Sequence, residues 1–325
     1  MHVATRAVVA LSWIAVALLA AAAVARLAFY DAVLAMVVVN MFTPYLYLPA
    51  YATLVIGLGT RRRWLALVSA ALVVCHLAWT LPGGVFASAV APGTEGAPHL
   101  RLMTANLLMV NQDVERIVAR VLEERPDVLV VQELAPHAAR ALEDPRIARR
   151  LPHRIFVAQD DSFGTGIYSR YPLRDAEIVD LEGVPMSRAV VRVPDGQGGA
   201  REVRVVDVHT LPPRNAEYFA VWERQMRVLE RLIARERGAL VVAGDFNATP
   251  QARAYRRLVA ARMRGAHEDR GRGLAVTWPN GLFPVPSVRF DHVLLSPEVA
   301  CLRVHEAAGI GSDHSPVVAD LALLR

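Results

Sequence analysis

Lysine is missing from this chain: all 36 of its basic residues are arginine, which we read as a coding bias rather than as chemistry. Cysteine is nearly missing as well. Cys75 lies in an apolar run and Cys301 in the distal part, so the distal part cannot close a disulfide within itself. A domain of that size holds together without one. Acids are scarce at the start, where the first 98 residues carry 2 of the 31 acids and 5 of the 36 arginines. The remaining chain has 31 arginines against 29 acids, a net of +2, and a nucleic-acid-binding protein usually shows a stronger basic imbalance. The pI near 9.6 therefore owes as much to the amino-terminal part as to the rest.

Charge of either sign is absent over long stretches. Between Arg6 and Arg26 lie 19 uncharged residues, between Asp31 and Arg61 lie 29, and between Arg63 and Glu95 lie 31. Crossing a hydrocarbon core takes about 20 apolar residues. Residues 1–81 are thus expected to form a three-span transmembrane anchor that meets the lipid bilayer through residues 7–81. Trp13, Tyr30, Trp64 and Trp79 lie in or near the ends of these runs, as interfacial anchors do. Pro44 and Pro49 predict a kink or an interfacial break in the second span. Two other readings stay open: buried helices of a soluble domain, and a cleaved signal peptide over residues 1–25, where Arg6, an apolar run and Ala23-Val-Ala25 have that grammar.

Orientation follows from the positive residues. Arg6 and Arg61-Arg62-Arg63 mark cytoplasmic sides, and Pro82 to His99 contains no arginine. A multi-pass cell-membrane protein is predicted, its domain after residue 95 on the extracytoplasmic side. Residues 82–98, rich in Pro, Gly and Ala, read as a linker. The first two spans lack acids and buried basic residues, which argues against a transport or sensing pathway through them.

Residues 99–325 are enough for one buried core, and short apolar runs alternate there with helical stretches. Strands are predicted at His99–Asn106, Asp127–Glu133, Gly164–Arg170, Arg188–Val193, Glu202–His209, Asp291–Leu295, near Leu302 and at Ser315–Leu323. Helices are predicted at Asp113–Arg125, Pro136–Arg149, Asn215–Arg237 and 251–263. This is an α/β domain of two packed sheets between outer helices. Its most informative stretch is Val241-Val-Ala-Gly-Asp245-Phe-Asn247-Ala-Thr-Pro250. It reads as the end of a buried strand, with Gly244 turning the backbone at the sheet edge. In an extended segment Asp245 and Asn247 project the same way. Thr249 and Pro250 read as an N-cap and first helical residue, so a helix should start at once. An ordinary turn is the plain alternative.

The predicted strands tend to begin or end in one polar residue: Asn106, Glu133, His209, Asp245 with Asn247, Asp291, and Asp313-His314. Oxygen ligands suit Mg²⁺ or Mn²⁺, and the absence of nearby cysteine argues against structural zinc. Imidazoles beside such a metal supply general acid or base groups. In order, the chain carries Thr104-Ala-Asn106, Gln132-Glu133, Gly166-Ile-Tyr-Ser-Arg170, His209-Thr210, Gly244-Asp245-Phe-Asn247, Arg289-Phe-Asp291-His292 and Ser312-Asp313-His314-Ser-Pro316. That succession resembles the endonuclease/exonuclease/phosphatase family over residues 99–325 and leaves the membrane part uncovered.

The resemblance implies a DNase-I-like four-layer α/β sandwich and Mg²⁺-dependent hydrolysis of a phosphoester, with Mn²⁺ as a substitute. It implies Glu133 as the main metal ligand with Asn106 and Asp313 beside it. Asp245 would orient or deprotonate the attacking water, and Asn247 would hold a phosphate oxygen. His314 would contact the phosphate, held by Asp291, and His209 would assist the leaving group. The family acts on lipid, nucleotide and nucleic-acid phosphoesters. A near-neutral domain and a membrane tether lean toward a lipid or extracytoplasmic nucleotide, while a surface nuclease also fits the tether. A catalytically inactive scaffold is the competing class, and a monomer is expected.

Each position also has a plain structural reading, as a turn former, a helix cap or a loop residue. His267, His292 and His305 match no functional position of these motifs and read as structural or exposed. Asp160 and Asp161 are candidates to orient His209 through its other nitrogen. The arginines at 253, 256, 257, 262 and 264 read as a solvated face, or else as a grip on phosphates. Trp278-Pro279-Asn280 either borders the cleft or packs.

Overall fold

The computed structural model describes residues 2–81, 84–89, 91–281 and 285–324. Pro82, Gly83 and Val90 of the expected linker lie outside them. The chain divides into two compact units, Met1–Gly83 with Gln251–Arg253, and Gly84–Pro250 with Ala254–Arg325.

In the first unit, Val3–Phe29 and Arg63–Thr80 are long and apolar enough to cross a membrane. Between them Leu34–Met41 and Thr43–Gly59 meet at a 66° bend, and count as a third span only if taken together. Proline at the start of helices Thr43–Leu46 and Leu48–Gly59 explains the break, since its ring cannot donate to the preceding turn. Val16, Leu19, Tyr47, Ala50, Leu65 and Leu72 form the shared core. One expectation is corrected. Arg26, in the last turn of the first helix, is buried, and its guanidinium donates to Asn40 Oδ1 at 2.6 Å and Thr43 Oγ1 at 3.0 Å. A cation removed from water needs such acceptors.

Among its described residues the second unit has twelve strands: β1 (His99–Asn106), β2 (Val128–Gln132), β3 (His153–Val157), β4 (Thr165–Ser169), β5 (Leu173–Leu181), β6 (Val184–Pro194), β7 (Ala200–His209), β8 (Leu240–Asp245), β9 (Arg264–Gly265), β10 (Asp291–Leu295), β11 (Val299–Glu306) and β12 (Val317–Leu323). They form two mixed six-stranded sheets, ordered β11-β12-β1-β2-β4-β3 and β5-β6-β7-β8-β10-β9. Alternation explains why the central strands are apolar throughout. In β1 and β2, Leu100, Leu102, Val128 and Val130 join a core shared by both sheets, while Met103, Ala105, Leu129 and Val131 join a second core with Ile117, Val121 and Leu142. Each such Leu or Val stabilises the fold by about 1.5–3 kcal/mol.

Several boundaries differ from expectation for identifiable reasons. The helix predicted over Pro136–Arg149 is two, Pro136–Ala141 and Pro145–Arg150, because Pro145 ends one and Asp144 caps the next through Arg146 N. Strands β3 and β5 escaped prediction; both are sheet edges, β5 largely polar and exposed, and β3 only five residues long with none fully buried. The helix expected at once after Pro250 begins at Arg253. Residues 84–88 are docked rather than free: Gly273 N donates to Gly84 O, Ser88 N donates to Asp269 O, and Ala87 bridges Arg270.

A buried polar network joins the sheets just below the strand ends. Asp207 of β7 accepts from Gln132 Nε2 of β2 at 2.6 Å, Thr165 Oγ1 of β4 at 2.6 Å and Gly166 N at 3.2 Å. Burial pushes the Asp207 carboxyl up to about 7, against the pull of those hydrogen bonds. A carboxyl whose folded value exceeds its unfolded value of about 3.9 binds its proton more tightly when folded. Its contribution to stability is therefore fully present below about pH 4 and lost as pH rises to about 7. Relative to the parent, Asp207→Asn should gain stability as pH rises across that window, read from denaturant midpoints of the full chain in detergent. A difference that stays flat would contradict this.

Candidate active site

Strand register brings the polar ends together. His209 of β7 pairs with Asp245 of β8, and Asp245 pairs with Asp291 of β10, so these residues stand side by side at one end of the second sheet. In the first sheet Asn106 of β1 pairs with Gln132 of β2, which places Glu133 immediately beyond. Glu133 leaves the strand with φ 52, a conformation that side chains rarely adopt, and Met109 N donates to its Oε2 at 3.0 Å.

Asn106 links the two sheets. Its Nδ2 donates to Glu133 Oε1 at 3.1 Å and to Asp245 Oδ2 at 3.2 Å, while its Oδ1 accepts from Leu108 N. His209 Nε2 lies 4.0 Å from Glu133 Oε1 and 3.9 Å from Asp245 Oδ2. Its Nδ1 is buried with no hydrogen-bond partner among the described residues, so Asp160 and Asp161, both exposed, do not orient the ring.

The Gly244-Asp245-Phe-Asn247 stretch differs in detail from its reading as sequence. Gly244 does not turn the chain out of the sheet; it lies within β8, where a Cβ would sit 2.0 Å from Val208 O. Glycine is required by close approach. Asn247 is not extended but has φ 45, and its N–H donates to Asp245 Oδ1 at 2.8 Å. One of its two amide protons is given to Thr210 O at 2.8 Å. The loop is fastened further by Trp222 Nε1 and Thr210 Oγ1, both donating to Phe246 O. His292 Nε2 lies 2.8 Å from Ala248 O; burial and then Arg289 hold this imidazole well below its usual range. It is neutral and structural.

His314 Nδ1 lies 2.8 Å from Asp291 Oδ2, and its Nε2 lies 3.6 Å from Asp245 Oδ2. Burial alone would lower its pKa, but the carboxylates of Asp291, Asp245 and Asp313 raise it to about 10. It is an imidazolium at neutral pH. Asp313 bonds elsewhere: its Oδ2 accepts from Trp278 Nε1 at 2.9 Å and its carbonyl from Asn280 N. The Trp278 indole also stacks on Phe290, so this loop packs against the site.

A residue that sequence reasoning passed over, Thr277, is buried beneath the dyad. Its Oγ1 accepts from Phe290 N at 3.0 Å and Asp291 N at 3.2 Å, and its carbonyl accepts from Ser315 N. One residue thus ties the strand of Asp291 to the loop of His314. Its partners are distant in sequence, so no local signal marked it.

Two oxygen-rich groupings fit a hard divalent cation. Asp245, Asp291 and His314 each offer a ligand atom within 4.8 Å of the others. Glu133 and Asp245 offer carboxylate oxygens on either side of the Asn106 amide.

No curated protein sequence matches the chain. The profile of the Endonuclease/Exonuclease/phosphatase family matches residues 103–314. Among solved structures, TDP2 of D. rerio complexed with a single-strand DNA product is 18% identical, with a TM-score of 0.56 over 69% of this chain and 98% of that one. An endonuclease/exonuclease/phosphatase from Beutenbergia cavernae is 24% identical, with a TM-score of 0.53 over 70% and 72% of the two chains. The 3′ phosphatase NExo from Neisseria, bound to a product DNA hairpin, is 20% identical, with a TM-score of 0.53 over 68% and 98%. At these identities the likeness speaks for the DNase-I-like fold, and the profile speaks for descent: the chain belongs to the endonuclease/exonuclease/phosphatase family.

Proposed function

We propose that this protein is a membrane-anchored, divalent-metal-dependent phosphoesterase that hydrolyses its substrate by attack of water on phosphorus. The observation that carries the reading is the convergence of Asn106, Glu133, His209, Asp245, Asp291 and His314 on one end of the two sheets, joined by hydrogen bonds or within 4.0 Å.

Glu133 would hold Mg²⁺ or Mn²⁺, joined by Asn106 through its Oδ1, which now accepts from Leu108 N, and by Asp313 through the carboxylate oxygen not bonded to Trp278; the ion when bound polarises the phosphate and neutralises charge growing on it. Asp245, buried and fixed by Asn247 N and Asn106 Nδ2, orients the water and takes its proton. The second amide proton of Asn247, which has no partner among the described residues, holds a phosphate oxygen. The His314 imidazolium, oriented by Asp291, presents a positive donor to the phosphate where the transition state gathers negative charge. As the new oxygen–phosphorus bond forms, the bond to the leaving group breaks, and His209 gives the departing oxygen a proton. The fastened donors need little rearrangement. Set against the inactive-scaffold class is the intact polar set, in which every carboxylate has a donor in reach.

The apolar helices Val3–Phe29 and Arg63–Thr80 and the bent pair between them support a three-span anchor over residues 1–81, with residues 99–325 as the catalytic domain. The arginine distribution supports an extracytoplasmic catalytic domain. A lipid or nucleotide phosphoester suits the near-neutral charge balance. A nucleic-acid phosphoester is the second reading, favoured by the DNA products bound to two structurally similar proteins.

The full chain in detergent should turn over at least one of bis-p-nitrophenyl phosphate, plasmid DNA and phospholipid with Mg²⁺, and lose that turnover in EDTA. Asp245→Ala and His314→Ala should each lower kcat by about a hundredfold or more. Metal-independent turnover, or none on any substrate, would overturn the proposal. A reporter fused after Arg325 should be active outside the cytoplasm; cytoplasmic activity would reverse the proposed orientation.

A further inference from the structure

A second set of arginines collects in space without being adjacent in sequence, unlike the run at 253–264. In that segment Arg257 pairs with Glu230 at 3.1 Å, Arg262 with Glu298, and Arg264 with Asp269 at 3.5 Å. Arg125, Arg146, Arg149, Arg150 and Arg170 instead line one open concavity of about 510 Å³. It lies at the other end of the first sheet. Arg125 closes helix Val114–Glu124 just before β2, Arg170 follows β4, and Val128 pairs with Ser169 there. Glu133 leaves the opposite end of β2, whose five residues span about 17 Å.

Carboxylates do not balance these guanidinia. One oxygen of Asp127 serves both Arg150, at 3.4 Å, and Arg170, at 3.1 Å. Arg146 is satisfied by Asp144 at 2.9 Å. Arg125 and Arg149 have no side-chain ion pair among the described residues, and both are exposed. Arg150 forms the floor, half-buried and pinned by Pro126 O and Arg125 O; burial, and then Arg125 and Arg170 against Asp127, pull its pKa down. Guanidinia gathered around one concavity repel one another, and an anion among them relieves that repulsion. Guanidinium forks match phosphate oxygens two at a time, and several around one concavity select for more than one negative charge.

We propose that this concavity binds a small, multiply charged phosphate, supplied either as free phosphate anion or as a lipid headgroup, at a site separate from the catalytic centre. The probe is inorganic pyrophosphate, titrated by calorimetry into the full chain in neutral detergent and EDTA, so that no divalent metal can retain it. One site should be seen, and Arg125→Gln with Arg149→Gln should weaken it by at least about tenfold. Both side chains are exposed and outside the proposed catalytic set, so turnover and thermal midpoint should not move. Asp127→Asn, which removes the internal competitor, should tighten binding. Displacement of pyrophosphate by dihexanoyl phosphatidic acid supports a lipid headgroup as the natural occupant; binding that this lipid cannot displace supports a free phosphate. Absence of pyrophosphate binding, or binding unchanged in the double variant, would overturn the proposal.

Discussion

Glu133 and Asp245 direct oxygens at the same amide nitrogen of Asn106, at 3.1 and 3.2 Å, and at the same imidazole nitrogen of His209, at 4.0 and 3.9 Å. Carboxylates this close in a poorly solvated site repel one another, and the repulsion must be met by donors or by a cation. Much around them can be read as that compensation. Met109 N and Asn247 N cap the two outer oxygens, and the His314 imidazolium approaches from the third side. A divalent ion would complete what the amide and imidazoles do only in part.

Holding that arrangement is a matter of register and close packing. A one-residue slip of β8 would turn Asp245 away from both His209 and Asp291. Slippage is opposed by the apolar core on one side of the sheet and by Gly244, whose missing side chain lets β8 approach Val208 O. Beneath the strand ends the Asp207 network fastens β7 to β2 and β4, so His209 and Glu133 are set by one set of buried hydrogen bonds. Thr277 does the same for Asp291 and His314. The groups proposed to act on the phosphate therefore rest on rigid elements, while their reactive ends stand at the sheet edge.

Much of this was legible in the residues themselves. The apolar runs ending in Asn106, Gln132-Glu133, His209 and Asp245 revealed the central strands, because strands buried on both faces leave a continuous hydrophobic signal. Edge strands β3 and β5 did not: solvent asks nothing apolar of most of β5, and β3 offers only five residues, none fully buried. The conformations of Glu133 and Asn247, with φ 52 and 45, were invisible because neither is glycine. Thr277 and Asp207 were invisible for another reason: each acts through partners distant in sequence, which only the fold brings near. The basic concavity was missed likewise, because its arginines come from separate segments. Burial of Arg26 depended on Asn40 and Thr43 folding back over it.

The central claim is that Glu133, rather than the Asp245-Asp291-His314 group alone, anchors a catalytic divalent ion. Electron paramagnetic resonance of Mn²⁺ titrated into the full chain in detergent tests it most directly. The account predicts a saturable site that is weakened by about tenfold or more in Glu133→Gln and largely retained in His314→Gln. A site indifferent to Glu133→Gln but lost in His314→Gln would contradict it.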